Sequence, residues 1–131
     1  MILNPKSGPS MSLKTSYNQT EPYITKDRSS IRELMHPLVH GNRTQSLAEA
    51  IVMPGCETLR HRHAFSEEIY HITGGSGYMT VGEDGFQVKE GDSICILPGE
   101  YHSIRNTEKV PLKILCCCSP PYSHEDTELF E

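Results

Sequence analysis

Along this 131-residue chain the pattern of apolar and polar positions changes character near residue 46. From Ser46 onward, short apolar or alternating runs are broken at Pro54-Gly55, Gly74-Gly75-Ser76-Gly77, Gly82-Glu83-Asp84-Gly85, Glu90-Gly91-Asp92 and Pro98-Gly99-Glu100. Each run is about 5–8 residues, a length that suits strands and is too short for helices. Regular short strands with closely spaced turns predict a sandwich or barrel. Ahead of residue 46 the signals are weaker. Residues 1–20 are polar and are expected to form a disordered extension, with Met11 an alternative start. Glu21–Lys26 (EPYITK) predicts a short strand. Ser30-Ile31-Arg32-Glu33 has the form of a capping box and predicts a short helix through about His36, stopped by Pro37. The segment 119–131, with Pro120-Pro121 and several acids, is expected to be a coil, or a short arm lying on a partner subunit.

Composition narrows the class. The length fits one domain, with residues 21–45 packing on a barrel formed by 46–118. No apolar run approaches the roughly 20 residues that span a bilayer, so no membrane partner is expected. The net charge is −5 and the basic residues are scattered, which argues against nucleic acid as a partner. MILNPKSGPS has no apolar stretch of a secretory leader. The five cysteines, three of them successive at Cys116-Cys117-Cys118, make a poor disulfide framework. Reduced thiols in a cytoplasmic protein are the expectation.

The candidate chemistry lies in three histidines and a glutamate. Strand side chains alternate, so His61 and His63 share a face, about 6.6 Å apart along the backbone. Arg60 and Arg62 then point the other way. Glu68 opens the next strand, and His102, from a distant hairpin, closes the set. Neutral imidazoles with a carboxylate suit a divalent transition metal and leave coordination positions for water or substrate. A lone His-x-His is commonly just a pair of surface histidines. Here the downstream glutamate, the glycine punctuation and a second block ending at His102 and Asn106 all need explaining together.

Both blocks resemble the two signature motifs of the cupin superfamily. The first runs Pro54-Gly55, five residues, His61-Arg62-His63, four residues, Glu68, six residues, Gly75. The second, Gly91 to Asn106, carries Leu97 where the family usually has proline, with Pro98 one position later; Gly99, His102 and Asn106 still align. The resemblance covers roughly residues 46–118. It implies an all-β, single-domain double-stranded β-helix, a jelly-roll-like cupin barrel, here with an N-terminal strand and a short helix. It implies one divalent metal (Fe, Mn, Ni, Cu or Zn) on His61, His63, Glu68 and His102. Glu67 is a rival to Glu68, and the Gly75-Ser76-Gly77 alignment favours Glu68. Small cupins of this kind commonly pair, which implies a homodimer in which Glu21–Lys26 adds to the neighbour's sheet.

Other residues carry open readings. Asn106 either satisfies turn backbone or holds a ligand by a hydrogen bond. Tyr70 should point inward with Glu68, as core or as a catalytic group beside it. Cys116 and Cys118 should face inward, as small apolar groups or as thiols near the metal. Glu49 faces solvent or the pocket. His36, His40 and His124 fall outside the ligand pattern. Alternation gives an interior of Leu59, Tyr70, Ile72, Ile94, Ile96, Ile104, Leu112 and Ile114, without Lys or Arg. That disfavours phosphorylated substrates. The expected function is a metal-dependent enzyme, oxygenase-like, on a small oxygen-bearing chelating substrate. The alternatives are a metal-anchored binding or sensing module and a zinc-type isomerase or lyase.

Overall fold

The structure is a computed structural model that describes residues 13–131. The first twelve positions of the expected disordered extension therefore lie outside the described residues. The strands are β1 (Pro22–Ile24), β2 (Ser30–Met35), β3 (Ser46–Val52), β4 (His61–His63), β5 (Glu67–Gly74), β6 (Ser76–Val81), β7 (Asp84–Lys89), β8 (Ser93–Ile96), β9 (His102–Asn106), β10 (Leu112–Ser119) and β11 (Thr127–Leu129). One four-residue helix, α1 (Pro37–His40), follows β2. The strands form two antiparallel sheets, one ordered β1-β2-β3-β10-β5-β8 and the other β11-β4-β9-β6-β7. Their inner faces enclose the core, as an all-β barrel requires.

Alternation decides what faces inward. On β10, Leu112, Ile114, Cys116 and Cys118 are buried, while Lys113 is exposed. On β5, Glu68, Tyr70 and Ile72 are buried and Glu67 is exposed, so the register favours Glu68 over Glu67 as the inward carboxylate. The core gathers Ile72, Met79, Ile96, Ile104, Leu112 and Ile114, with Ala50, Val52, Val88 and Cys116 around them. Ile94 packs against this cluster, whereas Leu59, expected inside, is only half-buried. Glu49 faces outward, where Tyr17 donates a hydrogen bond to it.

The glycine pair after β5 is required by close approach. Gly75 has φ +83°, and a Cβ there would sit 2.8 Å from the Pro111 carbonyl oxygen. A Cβ on Gly77 would lie 2.5 Å from the Arg105 carbonyl oxygen, inside the β6–β9 ladder. Only glycine lets these backbones approach so closely.

Three expectations are corrected. Ser30–Met35 is a strand, paired with β1 and β3, and the helix begins at Pro37 instead of ending there. Pro37 takes the first helical position, where its missing N–H costs nothing, and the His36 ring accepts from Leu38 N–H as the N-cap. Residues 13–20 lie against the sheet: Thr15 Oγ1 donates to Leu34 O at 2.5 Å, Arg32 donates to Tyr17 O at 3.1 Å, and its guanidinium stacks over the Tyr17 ring at 4.3 Å. The C-terminal segment is no free arm, because β11 pairs with β4 of the same chain, Thr127 opposite His63 and Leu129 opposite His61. The EPYITK strand is present as β1, paired with its own β2 at the sheet edge.

Candidate metal centre

Three strands bring the candidate ligands together. His61 and His63 point inward from β4, and His61 lies directly opposite His102 across the β4–β9 pair. One ring nitrogen from each of His61, His63 and His102 falls within 4.8 Å of the others. All three residues are buried, His102 completely. Glu68 reaches them from β5 in the other sheet. Its Oε1 lies 3.2 Å from His63 Nε2 and 3.5 Å from His102 Nε2.

Hydrogen bonds behind the rings fix which nitrogen faces the centre. His61 Nδ1 lies 2.8 Å from Leu59 O and His102 Nδ1 lies 3.0 Å from Glu100 O. A carbonyl can only accept, so both Nδ1 atoms carry the proton. His63 Nδ1 lies 3.0 Å from Thr127 Oγ1, whose own hydroxyl donates to Ser123 O at 2.8 Å; that hydroxyl oxygen therefore accepts from His63. In the neutral rings each Nε2 presents a bare lone pair. The three lone pairs then gather in a buried space, with Glu68 Oε1 against those of His63 and His102. Among the described residues, His102 Nε2 and Glu68 Oε1 have no hydrogen-bond partner. Facing acceptors repel unless a positive charge sits between them. The donor set, its tautomers and its orphaned atoms fit a divalent cation, and ligand rings anchored through their far nitrogen are the usual support of such a site.

The electrostatics agree. Burial, helped by repulsion from His102, lowers the His61 pKa to about 4, so its ring stays neutral near pH 7. Burial presses the Glu68 carboxyl upward, but the facing imidazoles of His102 and His63 outweigh it and hold the group well below the usual carboxylate range. That lowering requires donors facing the carboxylate; with both Nε2 atoms bare, a cation held at the centre would supply the same stabilisation. The other Glu68 oxygen, Oε2, accepts from the Cys118 thiol at 3.2 Å. Burial, then Glu68, pushes the Cys118 pKa far up, so the thiol keeps its proton and acts as a donor. Cys118 thus touches the centre, while Cys116 packs in the core.

Asn106 is corrected from ligand support to loop support. Its side-chain amide donates to Val52 O at 2.9 Å and Val110 O at 2.8 Å, and its oxygen accepts from Glu108 N–H. None of these groups belongs to the centre. Tyr70 is buried, its ring 5.9 Å from that of His102. The displaced proline of the second motif leaves the ligand geometry intact, because Gly99 N–H still donates to His63 O at 2.8 Å.

The centre opens into a small cavity of about 40 Å³. Its walls include Ala48, Val52, Ile104 and Ile114, with Asp27, Glu33 and Glu68 as acids and, among the described residues, no Lys or Arg. Sequence reasoning missed Asp27, Glu33, Thr127 and Tyr122. Tyr122 lines the cavity with its ring 5.7 Å from that of His63, and burial pushes its pKa to about 12. The alternating polar run Thr25, Asp27, Ser29 was the one local sign that this loop has an inward face. For Thr127 the sequence carries no such sign.

A metal-ready His cluster inside two antiparallel sheets defines a small β-barrel of the metal-binding kind. The chain belongs to the cupin family: residues 48–118 match the Cupin domain model. It is similar to an uncharacterized protein of Methanocaldococcus jannaschii, 57% identical over 119 residues that span 91% of this chain and 95% of the relative. Among solved structures it resembles a predicted oxalate decarboxylase of Thermotoga maritima (TM-score 0.72, 25% identity, 84% of this chain and 99% of that one). It also resembles Pac13, a nucleoside dehydratase of Streptomyces (TM-score 0.76, 12% identity, 92% of each chain), a likeness of fold alone. Among the described residues no helix is long and apolar enough to cross a membrane.

Proposed function

We propose that this protein is a mononuclear-metal enzyme acting on a small, oxygen-bearing molecule that chelates the ion, with oxygenase-type or related chemistry. His61, His63, His102 and Glu68 hold the metal. The observation that carries this reading is the gathering of three imidazoles, each anchored by a donated Nδ1–H, with an unpartnered Glu68 oxygen against the Nε2 atoms of two of them. A bound divalent transition metal would supply Lewis-acid polarisation of a substrate oxygen, or dioxygen chemistry if redox-active. The chain's own residues do the rest. Ala50, Val52, Ile104 and Ile114 make an apolar wall that excludes water from the substrate. Tyr70 keeps its proton, because burial and then the charge of Glu68 raise its pKa well above normal, so it donates to a substrate oxygen. Cys118 holds Glu68 Oε2 and leaves Oε1 turned toward the rings.

Charge narrows the substrate. With three acids and no cation on the wall, a phosphorylated molecule or a dianion such as oxalate meets repulsion at every point except the metal. A neutral enol, diol or diketone fits better. The resemblance to a predicted decarboxylase favours a second reading, a zinc-type lyase or isomerase, or a binding module anchored by its metal. Purified protein should be analysed for bound metal and then assayed for oxygen uptake over enols, catechols and diketones. Iron, copper, nickel or manganese with substrate-dependent uptake supports the oxygenase reading. Zinc with no uptake moves the assignment to the second.

All five cysteines are free, which suits a reducing, cytoplasmic compartment. A homodimer could form at the outer edge of β1, whose three residues are all exposed at the end of the six-stranded sheet.

A further inference from the structure

The loop between β1 and β2 brings a second carboxylate to the centre. Asp27 is 8% exposed, and its Oδ2 lies 3.5 Å from His61 Nε2. Its other oxygen is saturated: Oδ1 accepts from Thr25 Oγ1 at 2.6 Å, Ser29 N–H at 2.9 Å and Ser29 Oγ at 2.6 Å. Three donors fix the carboxylate plane and leave Oδ2 turned to the ring. There it meets no donor, because His61 Nδ1 carries the ring proton toward Leu59 O. An oxygen lone pair and a nitrogen lone pair therefore face each other, the same arrangement that Glu68 makes with His63 and His102.

The surrounding chain is built to keep Asp27 there. Leu59 ties both partners together: its N–H donates to Asp27 O at 2.8 Å and its carbonyl accepts from His61. Lys26 Nζ reaches His124 O and Thr127 O, at 3.2 and 2.9 Å, fastening the loop to the C-terminal segment that supports His63. Arg28 has φ +76°, a left-handed conformation that glycine would fill without strain. Such a conformation in a non-glycine residue persists only where the surroundings over-determine it, and it is common next to functional groups.

Resting on the metal reading above, we propose that Asp27 is a further ligand, giving the ion three imidazoles and two carboxylates. Two carboxylates balance a divalent charge and add oxygen donors. That favours manganese or iron(II) in a five- or six-coordinate site over tetrahedral zinc or copper(I). It also makes the N-terminal hairpin part of the centre, although the two family motifs lie wholly outside it.

The test is Mn(II) binding followed by loss of the free-ion EPR signal, with Co(II) absorption as a second readout. Wild type, Asp27→Asn and His61→Ala are compared. Asparagine keeps an oxygen for the Thr25 and Ser29 donors and replaces Oδ2 with a group that cannot ligate. Asp27→Asn should weaken Mn(II) about tenfold or more, on the scale of losses at metal-site partners, and should change the Co(II) spectrum. Wild-type affinity and spectrum in Asp27→Asn, with binding lost in His61→Ala, overturn the role of Asp27 and leave the metal centre standing. No binding by wild type overturns both. Should Asp27→Asn melt too early to titrate, Ser29→Ala loosens the carboxylate without removing it. It should weaken Mn(II) several-fold, and wild-type affinity in that variant overturns the proposal.

Discussion

Replacing Thr127 by valine isolates the support of one ligand ring. Valine matches threonine in shape, and the backbone pairing of β11 with β4 does not depend on the hydroxyl. What is lost is an acceptor 3.0 Å from His63 Nδ1 and a donor 2.8 Å from Ser123 O. Ser123 is only half-buried, so water can replace the bond to its carbonyl. His63 is only 4% exposed, so its Nδ1–H cannot be solvated in place. An unsatisfied buried donor costs about 1–3 kcal/mol, so the metal-free variant should melt lower than wild type. The ring also loses what fixes its tautomer and tilt. Loss of such a partner weakens metal about 10–100-fold, or about 1.4–2.8 kcal/mol. Chelator competition with Mn(II) and Co(II) measures the affinity, and thermal unfolding with and without metal measures the stability. Thr127→Ser, which keeps the hydroxyl, should restore most of both. A valine variant with affinity within about twofold of wild type would refute the assignment of the Nδ1 proton, and with it the lone-pair argument.

Further outcomes follow from the same geometry. The His61 pKa is lowered in the fold, so the unfolded chain takes up the proton first as pH falls. Stability and bound metal are full above about 6.5 and should decline together toward pH 4, by roughly 3 kcal/mol of stability for this group; unchanged melting of the metal-free protein across that window would contradict it. Gly77→Ala should cost about 1–3 kcal/mol, because its Cβ meets the Arg105 carbonyl at 2.5 Å. Gly85→Ala should cost less, since the obstacle is the movable tip of Tyr78, and equal melting losses would sink that distinction. For the homodimer, Ile24→Lys on the exposed edge strand should yield monomer in analytical ultracentrifugation, whereas an unchanged dimer would place the interface elsewhere.

Most of the barrel and much of its centre could be read from the sequence because both rest on period-two alternation. His61 with His63, Glu68 with Tyr70 and Ile72, and Leu112 with Ile114 and Cys116 all kept the faces that alternation assigns. The first 45 residues resisted for a physical reason. Ser30 to Glu33 carries the local form of a helix cap, yet six residues gain more from pairing with both β1 and β3 than from one turn of helix. Asp27 and Thr127 reach the centre only through long-range contacts: a hairpin loop folded over the barrel mouth, and a C-terminal strand added beside β4. Asn106 shows the opposite failure. It sits at a motif position at the end of the strand that carries His102, and its side-chain hydrogen bonds all go to backbone groups.

The central claim is that a single divalent ion sits among three imidazole Nε2 atoms and the Glu68 carboxylate. Its most direct test is a crystal structure of the Mn(II)- or Co(II)-loaded protein with anomalous scattering recorded at the metal edge. The account predicts one anomalous peak within about 2.0–2.3 Å of Nε2 of His61, His63 and His102 and of Glu68 Oε1. A peak bound through Nδ1, a peak elsewhere on the chain, or none from protein that remains folded would contradict it.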